Sequence, residues 1–142
     1  MSNIYVLKIR KSKDSSIRIG SIGVHDFPEG WYGYIGSSRT KEFKRVDRHA
    51  EISKGEKNTK HWHIDYLLNE TDTKVLGYFC SRDALECGVA SHINLKSVED
   101  FGSSDCDCSS HLVHSDEEEG LIDEIEKSFN SFNGYNYKNI ET

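Results

Sequence analysis

Three strand-like segments precede any helical pattern in this chain, and the turns between them are short. Residues 3–10 alternate Ile4, Val6 and Ile9 with polar side chains, the period of a half-buried strand. Residues 17–24 read as a second strand, with Gly20 and Gly23 as bulges or points of close approach. Residues 31–37 are aromatic-rich and read as the third. Residues 11–16 are polar and turn-like, and residues 25–30 form a turn holding the only proline. Parallel neighbours need a crossover of about a dozen residues or more, so these segments predict an antiparallel meander.

Helical spacing comes later. Phe43, Val46 and Ala50 recur on one face after Thr40, a natural N-cap, and Gly55 closes the segment, predicting a helix over residues 40–53. Residues 61–68 are amphipathic and compatible with either helix or strand. Residues 73–80 read as a strand. Ser81 opens a predicted helix to about residue 94, with Leu85, Val89, His92 and Ile93 on one face. Residues 100–110 are a Gly/Ser/Asp/Cys loop, residues 112–113 a short strand, and residues 116–132 an acidic amphipathic helix before an asparagine-rich tail read as frayed. Strands first, then strands mixed with helices, predict an α+β fold: a central antiparallel sheet of three or more strands, flanked by helices near 41–53 and 82–94.

The formal charge of −6 argues at first against an anionic partner. Its distribution reverses the argument. Residues 116–142 carry eight acids and two lysines, which accounts for the whole excess and leaves residues 1–115 neutral. Within that body, residues 39–60 hold eight Lys/Arg against four Asp/Glu, together with His49. A stripe of this kind supplies phosphate contacts whatever the whole-chain sum, although a charge run is more often a solvated helix face. The charge contrast also suggests a division into a body, 1–115, and an acidic helix and tail, 116–142. The tail is either a solubilising end, a cover for the basic face, or a docking element for a protein partner. No apolar run approaches a membrane span. The N-terminal layout is not that of a signal peptide, so a cytoplasmic location is expected, with Cys80, Cys87, Cys106 and Cys108 reduced. Cys106-x-Cys108-x-x-His111, with Cys80, Cys87 or His114 as a fourth ligand, is also compatible with zinc, though the Cys-x-Cys spacing is short and the partners are distant.

Asn3-Ile4-Tyr5 followed by Tyr34-Ile35-Gly36 resembles the paired motif that names the GIY-YIG nuclease superfamily, with Asn3 in place of the first glycine. The continuation Phe43-Lys44-Arg45-Val46-Asp47-Arg48-His49 is similar to the family's arginine-bearing helix. Glu86 stands where the family carries its metal-binding glutamate. Three further blocks, Trp62–Leu68, Glu86–Ala90 and Phe101–Leu112, resemble the largely archaeal branch of Uri-type endonucleases. The resemblance spans about residues 3–114. It implies a DNA endonuclease working in DNA processing or repair, with RNA left open as a substrate. It implies Tyr5, Tyr34, Arg45, His49 and Glu86 as catalytic residues, and Mg2+ or Mn2+ on Glu86. Two departures stand out: the two motifs are separated by a long insertion, and the superfamily's late asparagine has no clear counterpart.

The residue types fit the chemistry independently. Phosphodiester hydrolysis pits a nucleophile against an anion, so it needs a placed base and fixed positive charge. Glu86 offers hard oxygen to one divalent ion. Arg45 offers a permanent charge whose planar fork matches phosphate oxygens. Tyr5 or Tyr34 positions or deprotonates water, and the sequence does not choose between them; Tyr32, two residues before Tyr34, is a rival. His49 shares a helix face with Arg45. Arg39, Lys41, Lys44, Arg48, Lys60 and His63 are candidate nucleic-acid contacts. His63 and Asp65 would share one face of a strand, and Trp62 suits a core position better than a stacking platform. The rival reading is a catalytically inert nucleic-acid-binding or adaptor module on the same fold.

Overall fold

The structure is a computed structural model. It describes residues 2–38, 43–56, 60, 62–84, 86–98, 110–132 and 134–140. In chain order the elements are β1 (Ser2–Lys11), β2 (Ser15–Arg18), a 3-10 turn (Gly20–Ile22), β3 (Val24–Phe27), β4 (Gly30–Ser38), α1 (Lys44–Ser53) and α2 (His63–Leu68). They continue with β5 (Thr73–Ala84), α3 (Glu86–His92), β6 (Lys96–Ser97), β7 (Leu112–Ser115), α4 (Glu118–Asn130) and β8 (Asn136–Asn139). Six strands form one sheet in the order β6-β7-β4-β1-β5-β8, and every pairing in it is antiparallel. The expected α+β class and antiparallel sheet are both present.

The alternation in β1 splits the interior in two. Tyr5, Leu7 and Ile9 face a core shared with Val46 and Ile52 of α1, Ile64, Leu67 and Leu68 of α2, and Ile17 and Phe27. Ile4 and Val6 face the opposite core, built with Val89 of α3 and Leu121, Ile125 and Phe129 of α4. The sheet is therefore a middle layer between α1/α2 and α3/α4. No helix among the described residues is long and apolar enough to cross a membrane.

Several local expectations are corrected. Residues 17–24 are not one strand of the central sheet. Gly20 and Gly23 take φ of 44° and 82°, which break the extended run, and β2 and β3 pair with each other in a separate two-stranded sheet. β1 therefore pairs directly with β4. Ser81 does not open a helix: β5 runs on to Ala84 because its ladder with β1 continues through Ile4↔Ser81 and Ser2↔Ala84. The helix that follows begins at Glu86. The segment compatible with helix or strand is α2, a helix. Thr40 and residues 99–109 lie outside the described residues; α1 begins after Phe43, whose φ is 55°.

The acidic segment packs as part of the same unit. Leu121, Ile125 and Phe129 of α4 are fully buried. The asparagine-rich stretch expected to fray forms β8, with Phe79↔Tyr137 in its ladder to β5. The edge at 115/116 read from the charge contrast thus falls between two elements of one sheet-and-helix stack.

Candidate active site

The candidate site lies where β1 begins and β4 and β5 end. β1 and β4 are registered so that Tyr5 faces Gly36 and Leu7 faces Tyr34, which puts both tyrosines on the α1 side of the sheet. Gly36 has a specific reason to be glycine. A Cβ there would meet Cζ and the hydroxyl of Tyr5, so the phenol lies across the bare backbone of β4.

Helix α1 lies over these rings. Its buried residues Val46, His49 and Ala50 follow helical spacing, and His49 is thereby aimed at the sheet. The Tyr5 hydroxyl and His49 Nε2 are 2.8 Å apart in a buried hydrogen bond. The Tyr34 ring meets the His49 ring edge-on, with centroids 5.8 Å apart. Nδ1 of His49 is buried without a hydrogen-bond partner among the described residues.

Arg45, one turn before His49, donates from Nη1 to the Ser37 carbonyl at 3.1 Å. Its guanidinium lies 5.1 Å from the centroid of the Trp62 ring, and that of Arg48 lies 4.5 Å from the same centroid. Asp65, buried on α2, accepts from both terminal nitrogens of Arg48 at 3.0 Å and from the Trp62 backbone N–H at 2.9 Å. This locks α2 and Trp62 against α1. Trp62 is only partly buried, packed against the core between these cations and His49, 6.1 Å from its ring. His63 and Asp65 do not share a strand face: both are on α2, and a helix turns them apart.

The charges converge even where the contacts do not. Burial pushes the Tyr5 phenol well above its ordinary range; the neighbouring Tyr34 phenol reinforces this, Arg45 opposes it, and the carboxylates of Glu86 and Asp65 push it up further. Tyr34 is raised by burial first and by Glu86 and Asp65 next, with Arg45 again opposing. Burial lowers His49 to about 4; Asp65 resists, while Arg48 and Arg45 add to the depression. His49 is therefore neutral at pH 7. Tyr5, Tyr34 and His49 are thus joined by contacts, and both phenols sense the charges of Arg45 and Glu86. An open cleft of about 430 Å3 between β2–β3 and Lys96 contains none of them.

Glu86 is the first residue of α3 and stays one-third exposed, with its Oε2 3.5 Å from Nδ1 of buried His111. A partly open carboxylate with an imidazole beside it is a donor set that fits a divalent ion completed by water and phosphate oxygens. Among the described residues no group of three or more His, Cys, Asp or Glu side chains could hold a metal. His111, Trp62 and Asp65 neighbour the site although the sequence reading gave them other places: Trp62 in the core, Asp65 on one face with His63, and His111 in a zinc cluster with Cys106 and Cys108, two cysteines that lie outside the described residues.

The rival Tyr32 is occupied elsewhere: its hydroxyl donates to the Pro28 carbonyl at 2.6 Å. Among the candidate nucleic-acid contacts, Lys44 is exposed on α1. Lys60 is exposed and 5.3 Å from the Tyr66 ring, His63 is half-buried at the start of α2, and Arg48 is held by Asp65. Arg39 and Lys41 lie outside the described residues.

These features define an α+β domain with a buried tyrosine–histidine pair and an adjacent arginine and glutamate at one end of an antiparallel sheet. The chain belongs to the family described as domain of unknown function DUF123, whose model matches residues 4–134. No curated protein and no solved structure matches it.

Proposed function

We propose that this chain is a metal-dependent endonuclease of the GIY-YIG type, in its Uri-type branch, hydrolysing DNA phosphodiester bonds in DNA processing or repair. One observation carries the reading. Tyr5 and His49 form a 2.8 Å pair beside Tyr34, and both phenols lie within the fields of Arg45 and Glu86.

Each residue has a job its surroundings support. Neutral His49 accepts the Tyr5 proton at Nε2, so Tyr5 can take a proton from the attacking water as it passes its own to His49. Asp65 favours the imidazolium that forms, because its carboxylate raises the His49 pKa. Tyr34 packs edge-on against His49 and orients the water. Arg45 is anchored by the Ser37 carbonyl and keeps further N–H groups for a phosphoryl oxygen. Glu86 is the carboxylate that would hold Mg2+ or Mn2+. When bound, the ion supplies Lewis-acid stabilisation of charge on the phosphoryl and leaving oxygens. Lys44 and Lys60 are exposed and contribute sequence-independent contacts to the phosphate backbone.

The inert-module reading also has an observation in its favour. Tyr5 is nearly inaccessible and its phenol is raised, which opposes its use as a base. One screen separates the two. Purified protein with Mg2+ or Mn2+ is tested on single-stranded, flapped, branched and duplex DNA, and on RNA. The nuclease reading expects metal-dependent cleavage of at least one DNA substrate, and binding without cleavage on all of them supports the inert module.

A further inference from the structure

We infer that His111 is a second protein ligand, through Nδ1, of the divalent ion proposed for Glu86, making a mixed carboxylate–imidazole site that prefers Mn2+ to Mg2+. The inference deepens the proposed function and rests on that reading for the ion itself.

The argument begins with the 3.5 Å between His111 Nδ1 and Glu86 Oε2. A good hydrogen bond between these atoms would fall near 2.7–3.2 Å, so the observed spacing is too long for one. Two adjacent ligand atoms on one ion, each about 2.1 Å from it, are about 3.0–3.4 Å apart in octahedral or tetrahedral geometry. The observed 3.5 Å lies about 0.1 Å beyond the tetrahedral end of that range and about 0.5 Å beyond the octahedral end. The adjustment falls on Glu86, whose side chain is one-third exposed.

The His111 side of the site is rigid. Its side chain is buried, and its carbonyl accepts the Ile35 N–H at 2.9 Å, so its backbone is fixed to β4. The next residue, Leu112, pairs with Tyr34. The imidazole is thereby tied to the strand that carries a catalytic tyrosine. Glu86 is tied to α3, which is anchored through Val89 in the opposite core. An ion held between them would be placed by the sheet and by a packed helix together.

The donor types set the selectivity. Mg2+ takes oxygen ligands almost exclusively and gives up water reluctantly. Imidazole is a borderline donor that gains more with first-row transition ions. A carboxylate with one imidazole therefore favours Mn2+, with water and substrate phosphate filling the remaining positions.

The test is Mn2+ binding to metal-stripped protein, read by electron paramagnetic resonance and electron-spin-echo modulation. The wild type is expected to bind one Mn2+ with 14N modulation that changes to the 15N pattern on [15N]histidine labelling. His111→Gln should lose the modulation and weaken Mn2+ binding about 10-fold or more, with a smaller loss for Mg2+. His111→Asn is the second variant should the glutamine form not fold. His49→Gln should keep the modulation, because His49 faces Tyr5 rather than Glu86. A wild type that binds no Mn2+, or binds it without nitrogen modulation, overturns the inference, and the labelled wild type decides this with no variant at all. Modulation that persists in a folded His111 variant overturns it as well. Cleavage without nitrogen modulation would sink this inference and leave the nuclease reading standing. Modulation with no cleavage of any substrate would do the reverse.

Discussion

Replacing His49 by glutamine should flatten the acid side of the protein's stability profile, and the size of the effect follows from where His49 sits. Burial holds the imidazole at about 4, against 6.5 for an ordinary histidine. The unfolded chain therefore takes up a proton as pH falls through 6.5, while the folded chain does not until about 4. The stability linked to neutral His49 is complete above pH 6.5. It drains away across the window between the two values and is fully lost below the lower one. Over the whole window the shift of about 2.5 units corresponds to about 3 kcal/mol. Between pH 7.5 and pH 5 the loss is about 2 kcal/mol. Glutamine has no proton to gain there and can still accept a hydrogen bond from Tyr5. Urea unfolding of wild type and His49→Gln at those two pH values gives the double difference directly, because the carboxylates common to both proteins cancel. The wild type should lose about 2 kcal/mol more than the variant. Equal losses would show that His49 titrates normally in the fold. The claim that a buried, neutral imidazole awaits the Tyr5 proton would then fall.

Three further outcomes follow from the same geometry. Arg45→Ala should lower single-turnover cleavage by about 100-fold or more while DNA binding weakens much less, because one placed charge serves the transition state and several lysines serve binding; equal loss of both would remove its assigned role. Asp65→Ala should cost about 3 kcal/mol in urea unfolding, since it removes the buried carboxylate to which both terminal nitrogens of Arg48 and the Trp62 N–H donate; a loss under about 1 kcal/mol would show that the buried pair is not holding α2 to α1. Gly36→Ala should destabilise by about 1–3 kcal/mol, as expected when a packed core is overfilled. It should also reduce cleavage, because the new methyl meets the Tyr5 ring; a crystal structure with Tyr5 unmoved would contradict this.

The sheet was legible where side chains alternate cleanly, as in β1, and the candidate site residues were singled out through the resemblance carried by Asn3–Tyr5, Tyr34–Gly36, the arginine-bearing helix and Glu86. Arg45 and His49, four apart, needed only a helix to share a face, and the aromatic strand holding Tyr34 needed only an antiparallel partner. What was not legible depended on partners distant in sequence. β5 reads as ending near Cys80 because Ser81-Arg82-Asp83-Ala84 resembles a helix start, yet the start of β1 supplies a ladder that keeps it extended. Asn136–Asn139 has no apolar pattern and is a strand because β5 offers it an edge. The apolar face of the acidic amphipathic helix read at 116–132 supplies Leu121, Ile125 and Phe129 to the second core, so deleting that segment would open this core rather than merely unmask a basic face. Asp65 reads as sharing a strand face with His63; it is a buried anchor on a helix because Arg48, seventeen residues earlier, reaches it across the α1–α2 packing. His111 was grouped with two nearby cysteines by spacing, whereas folding sets it beside Glu86, twenty-five residues away.

The central claim is that Glu86 holds the ion that cleavage requires, next to a tyrosine–histidine pair. Its most direct test compares wild type with Glu86→Gln in Mn2+ on the DNA substrate cut best by the wild type. Glutamine removes one charge with little change of shape, and Glu86 is partly exposed, so the fold should persist by circular dichroism. The account predicts chelator-sensitive cleavage by the wild type and loss of cleavage by at least about 100-fold in the variant, with DNA binding retained. Wild-type protein that binds DNA but cuts no substrate, or a Glu86→Gln protein that cuts at the wild-type rate, would contradict it.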